Sequence, residues 1–136
     1  MFIIGDEEVP PSLTREQIKA VLGDDVEADF SYEDCLRMAE RTYNVFHVMV
    51  AEGHHFRYRG PEVEKSWRKV LGERALMLTD HTKLGEVVVS AIQLNEGTDL
   101  NTVLNSWSGD TALVVREATK GLTKNSSTST GGIVTL

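Results

Sequence analysis

The chain reads as a mainly α protein: a small helical bundle around one long central helix, with extended N- and C-terminal arms. Three observations lead to that class. Residues 31–53, SYEDCLRMAERTYNVFHVMVAEG, carry helix signals at both ends. Shorter amphipathic segments flank that run. The last residues turn polar and then end on a short apolar stretch.

The central run starts at Ser31, which can accept a backbone N–H as N-cap, with Glu33 and Asp34 in the positive first turn. Phe30 and Cys35 stand where a hydrophobic staple would sit. Gly53 supplies a residue that commonly ends a helix. Between them Glu33, Arg37, Glu40, Asn44 and His47 make a polar stripe, while Cys35, Met38, Ala39, Phe46 and Met49 face elsewhere. From Val45 to Ala51 the run is apolar nearly all round, so it should be covered on several sides.

Residues 1–11 read as an extended segment, with a short strand at Phe2 to Ile4 and then acids and Pro10-Pro11. Thr14-Arg15-Glu16-Gln17 is a capping box, opening a helix with Ile18, Val21 and Leu22 on one side and Gly23 at its end. Asp24, Asp25, Glu27 and Asp29 form an acidic link to the central run. After Gly53, residues 54–60 read as a loop or short strand. Pro61 suits the first position of a third helix with Val63, Trp67, Val70, Leu71 and Leu78 on its stripe. Residues 80–83 should break it. Residues 84–94 fit either helix or strand, with helix favoured because Gly97 can cap it. A short helix follows from Thr98 or Asp99, carrying Leu100, Val103, Leu104 and Trp107. Asp110 can cap a last helix to Lys120, although residues 111–115 also suit a strand.

The boundary falls there: residues 1–121 form the helical domain, and 122–136 a polar linker and C-terminal arm. The stretch from Asn125 to Gly132 cannot support a core. Its end, with Ile133, Val134 and Leu136, reads as a tethered sticky strand able to add to a sheet edge on another chain.

At 136 residues the chain suits one domain with its own core. A net charge of −7 argues against a protein that lives on nucleic-acid phosphates. The best basic candidates, Arg57, Arg59, Lys65, Arg68 and Lys69, are interleaved with Glu62 and Glu64. No specific nucleic-acid contact and no membrane are expected. No apolar run approaches the roughly 20 residues that span a bilayer, and the acids after residues 2–4 are the opposite of a signal peptide. Apart from membership of a larger assembly, a cytoplasmic location is expected.

The nearest approach to a metal constellation is His54, His55, Asp80 and His81. Adjacent histidines do not readily point at one ion, and no His-x-x-x-His spacing is present, so surface loop histidines are the default. His47 sits in the polar stripe and needs no function. Cys35, in the first turns of a helix, reads as a small buried hydrophobe rather than a nucleophile. Trp67 and Trp107 read as core or interface anchors. Asn125-Ser126-Ser127 matches a glycosylation acceptor by chance. No Gly-rich phosphate loop or nucleophile elbow appears. No catalytic residue, cofactor or metal is assigned, and the partner-docking residues are Ile133, Val134 and Leu136.

The opening LTREQIKAVLGDD, followed by an acidic link and a helix, resembles the start of the head–tail adaptor proteins of tailed bacteriophages. The resemblance covers about the first third of the chain. It implies a small, mostly helical structural protein that forms a homo-oligomeric ring with neighbouring assembly proteins, and it carries no functional residue over. A non-catalytic regulatory or DNA-binding helical module is the second expectation. A small metal-dependent enzyme using His54, His55 and His81 is the third.

Overall fold

The computed structural model describes residues 1–122. The elements run β1 (Phe2–Gly5), β2 (Ser12–Leu13), α1 (Arg15–Leu22), β3 (Phe30–Ser31), α2 (Tyr32–Glu40), β4 (Phe46–Val50) and α3 (His54–Leu71). Then come β5 (Ala75–Leu78), α4 (Leu84–Asn95), α5 (Leu100–Asn105) and α6 (Gly109–Thr119). Helix accounts for 58% of the chain described. The mainly α expectation holds at that level, but the centre is a three-stranded parallel sheet in the order β1-β4-β5.

The long central helix is therefore corrected. Residues 31–53 form α2, a turn and then β4, the middle strand. Its Ser31 cap is as expected, with the hydroxyl accepting the Asp34 N–H at 3.1 Å. The helix ends at Glu40 because the next stretch, Thr42 to Val50, is dominated by β-branched and aromatic residues with low helix propensity. The apolar run that looked like a helix covered all round is a strand covered on both faces, the pattern of a buried parallel sheet. Phe46 and Val48 point into one core, with Leu76, Leu78, Val87, Ala91, Val103, Val115 and Ala118. Val45 and Met49 point into the other, with Leu36, Val63, Trp67, Leu71 and Ala75. The result is three layers: α2 and α3 on one face of the sheet, α4, α5 and α6 on the other. Register pairs Ile4 with Val48, and Val48 with Leu76.

Other expectations divide. The Thr14–Gln17 capping box, the Gly23 stop at φ 79°, helix over residues 84–94 and the Asp99 cap all appear. The last helix also forms, though Ser108 precedes it and Asp110 lies inside its first turn. Residues 54–60 are helical rather than loop or strand. Pro61 has no N–H to give and crowds the turn before it, so the helix breaks at Arg59 (φ −126°, ψ 21°) and restarts. Leu78, expected on that helix's stripe, belongs to β5. The C-terminal residues Ile133, Val134 and Leu136, the linker before them and the Asn125 acceptor lie outside the described residues.

The N-terminus of α3 depends on a distant residue. Gly53 has no side chain to cap it, and the Asp6 carboxylate, just past β1, accepts the His55 N–H at 2.8 Å. A Cβ on Gly53 would lie 2.4 Å from the Asp6 side chain. Gly53→Ala is therefore expected to displace the cap and cost about 1–2 kcal/mol, and Asp6→Ala about 1 kcal/mol. Urea denaturation followed by circular dichroism checks both, and wild-type midpoints would refute the long-range cap.

Candidate functional site

A parallel sheet sends every strand's carboxyl end to the same side, and α/β proteins commonly bind ligands there. Here β1 leads into Asp6-Glu7-Glu8, β4 into Ala51-Glu52-Gly53 and β5 into Thr79-Asp80-His81. The histidines singled out by sequence all come to this end, His54 and His55 because α3 starts there. They do not form one cluster.

His81 and Asp80 join Glu52, with one ligand atom from each within 4.8 Å of the others. Glu52 Oε2 accepts both the His81 backbone N–H and its ring Nδ1, each at 2.7 Å. Those two bonds hold the Glu52 carboxyl below the usual range. Asp80 Oδ1 accepts from the Thr82 hydroxyl at 2.6 Å and backbone N–H at 2.9 Å, which lowers its pKa as well. Two carboxylates and an imidazole are donors a divalent cation accepts; one oxygen of each carboxylate, Glu52 Oε2 and Asp80 Oδ1, is already engaged by neighbouring N–H and O–H groups. The arrangement locks the loop after β4 to the loop after β5. Glu52 was not singled out from sequence, because its place beside Asp80 follows only once residues 46–50 are a strand.

His55 belongs to a second group. Its Nε2 lies 2.6 Å from Glu8 Oε2, and Arg59 Nη2 lies 3.2 Å from Glu8 Oε1. The His55 bond is the main reason the Glu8 carboxyl is held low. His54 is exposed and meets the Tyr58 ring edge-on at 5.1 Å. The basic residues on α3 are partly spent in the same way, with Arg59 also against Glu62 and Arg68 against Glu64 at 2.7 Å.

His47 departs most from expectation. Rather than lying on a polar surface stripe it is on the middle strand, 2% exposed. Its ring stacks on Trp67 at 3.5 Å and 5°, and neither ring nitrogen has a hydrogen-bond partner. Burial pushes its pKa down to about 4, with only the Gly5 backbone pulling the other way. Cys35 is half-buried and free. The tryptophans are anchors as read: Trp67 donates to the Glu7 carbonyl at 2.7 Å and Trp107 to the Ser90 hydroxyl at 2.8 Å. The acidic link folds onto α1, Asp29 accepting the Arg15 N–H at 2.9 Å and Asp25 pairing with Lys19 at 2.5 Å.

A hollow of about 790 Å³ lies elsewhere. It opens near the amino ends of β4 and β5, between Phe46, Leu71, Glu73, Leu94 and Leu122. No helix among the described residues is long and apolar enough to cross a membrane. Comparison with protein-family models, with curated proteins and with solved structures finds no match to this chain.

Proposed function

We propose that this chain is a non-catalytic structural subunit of a multi-protein assembly, joined to its neighbours through the open edge of its parallel sheet. The observation that carries this is the contrast between the two edges. At β5, Ala75, Leu76 and Leu78 are buried under the flanking helices. Both edge strands bond β4 alone among the described residues, but at β1 Ile4 is 49% exposed. An uncovered apolar edge is a template for another strand. At the strand ends Glu52 is bonded to His81, Glu8 to His55 and Asp6 to the His55 N–H, so these contacts tie the loops together.

The occupant is the C-terminal segment Ile133 to Leu136 of a neighbouring copy. These residues lie outside the described ones, and the assignment rests on three supports. Ile133, Val134 and Thr135 are β-branched and Leu136 is apolar, they follow a polar linker, and Leu122 packs on the same core as Phe2. Strand addition of this kind draws affinity from main-chain bonds and specificity from alternate side chains. The resemblance of residues 13–25 to phage head–tail adaptors makes a virion connector the assembly of this type to test first.

Light scattering over a range of concentrations tests the proposal. The whole chain is expected to self-associate. Ile4→Lys and removal of residues 123–136 are each expected to yield monomer with an unchanged circular dichroism spectrum. A whole chain that stays monomeric overturns the assembly. Monomer from Ile4→Lys alone keeps the edge and removes the arm as its occupant.

A further inference from the structure

The buried ring of His47 has no assigned purpose and sits at a mechanical junction. On one side it stacks on Trp67 of α3, and on the other it lies against Gly5 at the end of β1. The Trp67 indole N–H holds the Glu7 carbonyl at 2.7 Å. Through that bond the loop of residues 6–8 hangs from the same ring that covers His47. The loop in turn supplies the Asp6 cap of α3 and the Glu8 partner of His55.

We propose that residues 6–8 are an acid-released clasp: protonation of His47 drives its ring out from under Trp67, and the loop held by Trp67 lifts from the start of α3. An imidazolium carries two N–H donors; the Gly5 backbone is the one group beside the ring that favours the charge, neither nitrogen meets hydrogen-bond geometry as it lies, and at least one N–H would stay unbonded. The Trp67 face attracts a cation and offsets part of that penalty, but it cannot accept both in-plane N–H groups.

The titratable groups on the surrounding elements do not relieve the charge. From the loop, Asp6 is bonded to the His55 N–H and Glu8 to His55 and Arg59, while Glu7 contributes its carbonyl to Trp67. From α3, Glu64 is paired with Arg68. From α2, Tyr32 meets Trp67 edge-on at 5.3 Å and Cys35 is half-buried, while Glu40 is paired with Arg74. Beside His47 on β5 stands Ala75. None of these groups bonds a His47 nitrogen. The sign follows: the closed clasp requires neutral His47, so it holds above the ordinary histidine range and is lost as pH falls from about 6.5 toward about 4.

Amide hydrogen exchange on the whole chain, corrected for the intrinsic pH dependence, tests this. Between pH 7 and pH 4.5, protection in residues 5–9 and 53–58 is expected to fall at least about tenfold, with that of α4 and α6 unchanged. His47→Phe keeps the stack and is expected to abolish the change; His47→Leu serves if that variant does not fold. Loss of protection in both variants equal to wild type would overturn the clasp, as would a uniform loss across the molecule. An NMR titration of the wild-type ring gives an independent check. A His47 midpoint near the unperturbed 6.5 with the loop still protected would also overturn it.

Discussion

Placing a charge at Val48 is expected to abolish folding. Val48 is 0% exposed on the middle strand, with Ile4 on one side and Leu76 on the other. An Asp there would be cut off from water, with the main chain on both flanks committed to the sheet. Charged and unpaired, it costs several kcal/mol; neutralised, it still leaves an unbonded polar group and the lost valine packing. A total above about 4 kcal/mol is expected, set against about 5–15 kcal/mol for a whole domain. Val48→Asp should give no cooperative unfolding transition by circular dichroism. A soluble variant that folds normally but no longer assembles would move Val48 from the core to an interface, and with it the assignment of β4 as the middle strand.

Trp67→Ala is expected to cost about 3–5 kcal/mol, the range for a buried aromatic removed from a core. The side chain is 4% exposed, covers the His47 ring, meets Tyr32 and fixes the Glu7 carbonyl. Trp67→Phe separates these roles. It retains most of the apolar burial but leaves the Glu7 carbonyl without its donor, at about 1–2 kcal/mol. Urea unfolding read by circular dichroism ranks the two. A Trp67→Phe cost near zero would mean that the indole N–H bond to the loop contributes little, which would also weaken the coupling between His47 and residues 6–8.

Much of the helical structure was legible because caps are local. Thr14 reaches Gln17, Ser31 reaches Asp34 and Asp99 reaches Thr102; each bond is made within one turn, so the residue types that make it sit side by side in the chain. The stripe of Val63, Trp67 and Leu71 was legible for the same reason. The capping glycine at Gly53 misled because a helix end and a helix start both favour a small residue there. Without a strand at residues 46–50, nothing separates His47 from a surface stripe, and nothing brings Glu52 to Asp80 and His81.

The sequence by itself determined where most helices begin, that the chain carries an acidic surface, and that residues 45–51 must be buried on several sides. Tertiary structure decided that this burial is a strand between two helical layers, because β4 finds its partners β1 and β5 only after the chain has folded back across α1, α2 and α3. Parallel pairing has no local hydrogen bond to announce it. The same long-range pairing buries His47, aligns the three strand ends and leaves β1 bonded to β4 alone among the described residues.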